Sequence, residues 1–430
     1  MAAELGNDAT LAKVLWFLDR HLALAVLEFL QAQNVVEESS LLRQKDALLR
    51  RTNLVDFTID VHQCLHCTSS TPPELSQQRE RVLSRLNELQ QAAQKIVNFL
   101  SNPSLVSQLR GDKHFNLKLL HEHHDIGLED IESLYRYARF QFECGNYEAA
   151  AELLYHYRSL CTDYERSFSA LWGKLASDIL MQDWESALDD IKRLHDAIDS
   201  KQHSSVQMQL QQQVWLMHWS LFVYFNHERG PDALIDLFMQ DRYLSAIQAC
   251  APHLLRYLAV AAVTCRRGHA VAKELVTVFG QDRSDIWSDP APGFLHALFL
   301  DCDFKKAERK LNECDTVLEN DFFTVGCKRE FLDSALLFIL ERYCTIHRAL
   351  SIETLADKLH TTQDEAERWV ISLIKQGRLD ARVDSERKRI EMDVKRSSIC
   401  DTVREKARPL AERTRNLVLA LNTSGSELQS

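Results

Sequence analysis

Four side chains in the first quarter of the sequence, His62, Cys64, His66 and Cys67, have the types and spacing of half a zinc site. A structural zinc takes four ligands, usually as two such pairs. The sequence has no second CxxC to complete it. These thiols and imidazoles therefore read as parts of an ordinary helix or loop. A second cluster, His121, Glu122, His123, His124 and Asp125, departs from HExxH, and adjacent residues of a helix point to different faces. It reads as a solvated polar turn. No glycine-rich phosphate loop, nucleophile elbow or kinase signature occurs. With 12 Gly in 430 residues there is little material for such loops. The expectation is a chain with no catalytic residue, no cofactor and no metal.

The same shortage describes the elements. Only 12 Gly and 8 Pro are present, and both residues break helices, so long helices joined by tight corners are expected. The net charge of −11 gives little counterion release on nucleic acid, which argues against sequence-independent binding by the whole chain. The 11 Cys form an odd, scattered set and read as reduced thiols. The N-terminus lacks the order of a signal peptide, and the apolar run near Leu258–Cys265 is far short of a membrane span. Cytoplasmic residence, with room for a nuclear pool, follows.

Leu11, Val14, Leu15, Leu18 and Leu22 start a helical pattern that continues to about Gln33. After the turn Ser69–Pro73, the residues Val82, Leu86, Leu89, Ala93, Ile96 and Leu100 form a narrow seam at 4,3,4,3,4 spacing. Packing within the protein and a partner coiled coil both explain it. In the middle of the chain an aromatic residue opens a helix after a polar corner, and Ala follows three positions later. The copies are Tyr147/Ala150, Trp184/Ala187, Tyr243/Ala246 and Phe304/Ala307. Their spacing, 37 and then about sixty residues, is too irregular for a clean 34-residue array. The logic is still that of an α-solenoid, in which each hairpin buries its apolar face on its neighbours.

The ending changes character. Ser351 can cap a helix over Ile352–Leu359, and Thr362 with Glu365 forms a capping box for the next helix. That helix carries Ala366, Trp369, Val370, Leu373 and Ile374 on one face, with Gly377 after it. Period-two alternation follows at Leu379, Ala381 and Val383, then at Ile390 and Met392. Helix, turn, helix, hairpin is a winged helix. A winged-helix nucleic-acid regulator is one class of function it admits. Its second helix opposes Asp364, Glu365 and Glu367 to Arg368 and Lys375, which phosphate would repel. Arg387, Lys388 and Arg389 on the wing suit either RNA phosphate or plain solvent. Val403, Ala407, Leu410, Thr414, Leu417 and Leu421 then repeat the 4,3,4,3,4 seam. The fold class is all-α: an α-solenoid of helical hairpins, a winged helix and a C-terminal helix. The expected divisions are an N-terminal helical region at 1–105, a helical-repeat solenoid at 106–344, a winged helix at 345–395, an assembly helix at 396–421 and a disordered tail at 422–430.

A solenoid running into a winged helix and a seam-bearing helix resembles the PCI proteins, scaffold subunits of the proteasome lid, the COP9 signalosome and eukaryotic translation initiation factor 3. Local sequence resembles the e-subunit family of that factor. The motifs are Phe17–His21 with Leu27–Leu30, Glu143–Tyr147, Leu171–Ala176, Trp215–Ser220, Phe225–His227, Asn320–Phe323, Leu355–Leu359 and Glu365–Trp369, in order over most of the chain. Gln281–Pro292, Ser385–Glu391 and the tail depart from the pattern. The resemblance implies a non-catalytic subunit whose partners are other initiation factor 3 subunits of PCI and MPN types and the small ribosomal subunit; the basic wing adds a weak RNA contact, and the short apolar runs leave no membrane to be expected. It also implies that the winged-helix sheet (Leu379, Ala381, Val383, Ile390, Met392) and the C-terminal seam (Val403, Ala407, Leu410, Leu417, Leu421) are protein interfaces. A lid or signalosome subunit shares the architecture and differs only in the local motifs.

Overall fold

The computed structural model describes residues 9–34, 36–66, 72–200, 205–265, 268–280, 286–347, 349–359, 362–375, 381–384, 389–392, 403–404, 407–415 and 418. Contacts divide the chain into two compact units, Met1–Ala335 and Leu336–Ser430.

Among the described residues the first unit is built of helices. The apolar pattern at its start is broken into two helices, Ala9–Phe17 and Arg20–Ala32, rather than running on to Gln33. Asp19 is the reason. Its carboxylate accepts from His21 N at 3.2 Å and caps the second helix, offering the backbone an alternative to helix continuation. The seam helix spans Pro73–Leu100, and Leu89, Ala93, Ile96 and Phe99 are buried against Leu134, Tyr137 and Ala138 of helix Leu128–Glu143. Of the two explanations for that seam, packing within the protein is the one observed.

All four alanines of the repeat, Ala150, Ala187, Ala246 and Ala307, are fully buried. Tyr147, Trp184 and Phe304 each open a helix, and Tyr243 stands two residues inside one that opens at Asp241. Three of the corners turn on a left-handed residue: Gly145 (φ 88°), Gln182 (φ 62°) and Cys302 (φ 52°). The next N–H then reaches back to a free carbonyl, Asn146 to Gln141, Asp183 to Asp178 and Asp303 to Ala297, each at 3.0 Å. At Gly145 the positive φ strains any other residue, and a Cβ, 2.6 Å from Leu54 Cδ2, would also push that side chain aside. The long repeat intervals have a simple cause. Helices Val206–Tyr224 and Gly230–Phe238 intervene before Tyr243, and Leu255–Thr264, Gly268–Phe279 and Pro290–His296 intervene before Phe304.

One core joins distant parts of this unit. Val14, Leu22 and Leu27 share it with Leu171, Leu221, Tyr257 and Phe323. Phe29 meets Phe322 edge-on at 5.4 Å, and the Trp219 indole N–H donates to Phe17 O at 3.2 Å. Burial of apolar surface from helices far apart in sequence is the main stabilising term here. No single helix among the described residues is long and apolar enough to cross a membrane. The pair Asp241–Cys250 and Pro252–Thr264 passes such a test only jointly, is bent by 117°, and is mostly core.

The second unit begins inside helix Lys328–Ile346. Strand β1 (Ala349–Ser351) leads into helix Ile352–Leu359, and helix Gln363–Lys375 leads into strands β2 (Ala381–Asp384) and β3 (Arg389–Met392). The capping box forms: Thr362 N donates to the Glu365 carboxylate at 3.3 Å, and Glu365 N donates to Thr362 Oγ1 at 3.4 Å. The strands make an antiparallel sheet in the order β1-β3-β2. Ala366, Val370, Leu355 and Ile390 centre its core, with Leu340 and Cys344 from the preceding helix.

Candidate assembly interface

Among the described residues the sheet of the second unit has two open edges, β1 and β2, because β3 lies between them. Unpaired N–H and C=O groups on an edge are a template for another strand. Ile390 is fully buried, and Ala381, Val383 and Met392 pack beside it in the core of this unit. Their side chains therefore hold the register. An added strand must pair with the β1 or β2 backbone. Leu379 and Gly377 lie outside the described residues.

The outer face is self-complementary in charge. Arg382 stands opposite Glu391, and Arg389 opposite Asp384. Directly opposed charges of opposite sign support the pairing by a few tenths of a kcal/mol up to about 1 kcal/mol. Arg389, one of the three wing residues singled out for RNA, is thus in register with Asp384 across the hairpin. Arg387 and Lys388 lie outside the described residues.

The C-terminal seam is placed differently. Residues 403–404, 407–415 and 418 are helical, and Pro409 falls within the helical stretch 407–415. Val403 is 60% exposed, Leu410 62% and Val418 50%, and Ala407 and Thr414 are exposed with them. Val403 and Leu410, seven residues apart at the same seam position and each uncovered in the chain by itself, form a surface that water does not favour. Leu417, Leu421 and the 422–430 tail lie outside the described residues.

The clusters that could do chemistry are scattered between ring contacts and solvent. The His62 and His66 rings lie 4.4 Å apart, tilted at 47°, Cys64 is exposed, and Cys67 lies outside the described residues. His121 and His123 are exposed at the end of helix Lys113–His124, and His124 packs edge-on against Phe99 at 4.8 Å. Among the described residues no group of three or more His, Cys, Asp or Glu is arranged to hold a metal ion.

Sequence reasoning missed three buried polar assemblies. Arg256 donates from Nε to Asp289 at 2.7 Å and from Nη1 to Asp321 at 3.2 Å, and the Tyr257 hydroxyl donates to Asp321 at 3.0 Å. This gives the Asn320–Phe323 motif its purpose: Asp321 ties the turn after helix Phe304–Glu319 to helix Leu255–Thr264 while Phe322 and Phe323 pack at the core beside it. Lys174 sits between Asp178 (2.6 Å) and Asp190 (2.8 Å). Its one local signal is the Lys–Asp pair at i,i+4, which the sequence reading did not single out.

The third assembly is a histidine pair. His218 Nδ1 lies 2.7 Å from Val214 O and so donates to it, which leaves Nε2 to accept from His253 Nε2 at 2.8 Å. Phe17 stacks on His218 at 4.4 Å. Burial pulls His218 down to about 4, and burial, aided by His218, Lys13 and Arg256, pulls His253 down to about 3. Both are therefore neutral in the fold. Below the ordinary histidine value of about 6.5 the unfolded chain takes up protons that the folded chain refuses, so stability is present above that pH and is lost on acidification. For His218 alone the loss by pH 4 is roughly 3 kcal/mol. Urea midpoints at pH 7 and pH 4.5, compared with those of His218→Phe, check this. A difference between the two proteins that does not change with pH would refute it.

Residues 10–141 match the family model described as the eIF3 subunit 6 N terminal domain, and residues 311–393 match the PCI domain. Among curated proteins, the chain is 45% identical to the E-subunit of eukaryotic translation initiation factor 3 from Arabidopsis thaliana, over 93% of each chain. It is 39% identical to the protein of that name from Bombyx mori, over 94% of this chain and 93% of the relative. The protein of that name from Aspergillus clavatus is also 39% identical, over 97% and 94%.

Proposed function

Because the chain belongs to the E-subunit family of eukaryotic translation initiation factor 3, we propose that it is a non-catalytic component of that factor, holding neighbouring subunits together and supporting attachment to the small ribosomal subunit during translation initiation. The observation that carries this is similarity at 45% identity across 93% of both chains, with no large piece of either left unmatched. The structure supplies a means. Two open sheet edges in the second unit can accept a strand from a PCI-type neighbour, and the exposed Val403–Leu410 face can enter a bundle of helices from PCI and MPN subunits. The non-catalytic reading is supported by where the polar clusters went: Lys174, Arg256 and the His218–His253 pair each find their partners inside the first unit. We place the work in the cytoplasm, with a nuclear pool allowed.

A pull-down of the tagged chain from cells, followed by sedimentation of the same lysate, tests this. Recovery of initiation factor 3 subunits and migration beside the small ribosomal subunit is expected. Recovery of proteasome-lid or signalosome subunits in their place would overturn the assignment. A narrower test concerns the wing. Arg387, Lys388 and Arg389 changed together to Glu should leave recovery of the other subunits within about twofold of wild type, because charges outside the assembly contacts contribute little. Any RNA contact through the wing would weaken. Loss of the other subunits would make the wing an interface.

A further inference from the structure

Helix Val206–Tyr224 breaks with the charge pattern of the rest of the chain. No Asp, Glu, Lys or Arg stands between Lys201 and Glu228, although charged residues are 26% of the sequence. A fully buried helix needs none, but this one is buried on part of its circumference only. Val214, Leu216, Met217 and Leu221 lie in the core, whereas Met208 is 53% exposed, Trp215 is 38% exposed, and Gln211 is exposed between them. A helix face turned to water ordinarily carries charge. The neighbouring helix Tyr164–Met181 continues the uncharged row. Trp215 meets Trp172 edge-on at 6.4 Å, Trp172 meets Phe168 edge-on at 6.3 Å, and Phe168 stacks with Tyr164 at 6.3 Å. Tyr164 is 49% exposed. At that end the Tyr164 hydroxyl donates to Ala197 O and Gln209 Nε2 to Ile198 O, consecutive carbonyls of helix Trp184–Ser200, each at 3.1 Å. The two helices therefore run side by side in the same direction. Tyr164 and Trp172 lie along one and Met208 and Trp215 along the other, each pair spanning roughly 10–12 Å at 1.5 Å per residue.

We propose that this aromatic row docks an extended, uncharged, proline-bearing segment of a partner protein. Enrichment in aromatic residues and Met with depletion of charge is the composition of an interface centre, not of a solvated surface. The missing charge selects among partners. RNA needs cations to neutralise its phosphates, and helix Val206–Tyr224 offers none. A charged peptide would lose hydration against side chains that cannot pair with it. The polar groups select further. A partner helix satisfies its own backbone and gives the Gln211 amide and the Trp215 indole no carbonyl to bond, whereas a polyproline II segment has no internal hydrogen bonds and keeps its carbonyls available. Its proline rings pack on flat aromatic faces, and one turn of it, about 9 Å, fits the length of the row.

The test uses the purified full chain with fluorescein-labelled decaproline, and a glycine–serine peptide of the same length as control. Saturable binding of decaproline alone is expected, and its affinity should change by less than about twofold from low to high salt, because no charge pair is made. Trp215→Ala should weaken binding by at least roughly tenfold. Met208→Glu with Gln211→Glu should do the same from two exposed positions, and it keeps the test decisive should the Trp215 variant fail to fold. Equal binding of the two peptides, or decaproline binding that the Glu variant retains, would overturn the proposal. In the cellular complex, a benzophenone amino acid in place of Met208 or Gln211 should cross-link to another protein at a segment with prolines three residues apart. Links to a helical segment, to RNA or to a second copy of the chain would overturn it as well.

Discussion

Val403→Asp combined with Leu410→Asp is expected to release the chain from its assembly while leaving its own fold unchanged. In the chain by itself both side chains are mostly exposed, 60% and 62%, so a carboxylate at either position costs the monomer almost nothing. In a bundle the same positions are the desolvated centre of the contact. A carboxylate driven there has no partner and costs several kcal/mol, and even about 2 kcal/mol at each of two central positions amounts to a loss of roughly a thousandfold in affinity. The measurement is the stoichiometry of co-purifying subunits after affinity purification, beside a far-ultraviolet dichroism spectrum of the purified chain. Stoichiometric recovery of partners with the double variant would show that this face is not an assembly surface. Lost helicity would show instead that the helix packs on its own chain.

The two seams in this chain show where reading a sequence stops. Val82–Leu100 and Val403–Leu421 share the same 4,3,4,3,4 spacing. The first is covered by helix Leu128–Glu143 and the second, where described, is uncovered. Spacing encodes that a stripe must be buried, and says nothing of what buries it. Local signals did better. The helix Ile352–Leu359, the Thr362–Glu365 capping box and the two strands of the hairpin were all readable, because each depends on residues within a few positions of one another. So was the aromatic-to-Ala corner, since a fully buried Ala one turn into each helix is a close-approach requirement stated in four residues. Strand β1 has only three residues, too few for a period of two to register, and it pairs with a strand forty residues away. The break at Asp19 was hidden because the apolar spacing runs straight through it. What no local pattern could supply was the buried charge. Arg256 finds Asp321 across 65 positions, and nothing near Arg256 distinguishes it from a surface arginine.

Lys174→Met is the substitution expected to damage the first unit most. The ammonium lies between Asp178 and Asp190 and also donates to Ser186 Oγ at 2.9 Å, all within a site closed to water. Burial by itself lowers the lysine, but hydrogen bonds and attraction from the two carboxylates outweigh it and hold the group above the ordinary lysine range. The raised value means that the stability it contributes is complete below the ordinary lysine pKa of about 10.4, and is lost only as pH climbs through the folded value. At neutral pH the ion network is therefore intact. Met matches the length of the stem and removes the charge, which leaves two buried carboxylates facing each other. Asp190 keeps Arg193 at 2.8 Å, but Asp178 is left with the Ser186 hydroxyl at 3.0 Å. Removing one partner of a buried pair costs about 3–5 kcal/mol, a large part of what a domain has to spare. A second change, Asp178→Leu, takes away the stranded charge, and the double variant should recover at least half of the loss. This follows because the penalty belongs to the unpaired carboxylate more than to the missing bond. Hydrogen exchange of helices Tyr164–Met181 and Trp184–Ser200 in the single and double variants reads the effect where it arises, free of any contribution from the second unit. A single variant with wild-type protection would mean that water reaches Lys174 and that the network is solvated. A double variant no better than the single would mean that Lys174 acts by packing its stem and that the stranded charge is not the source of the loss.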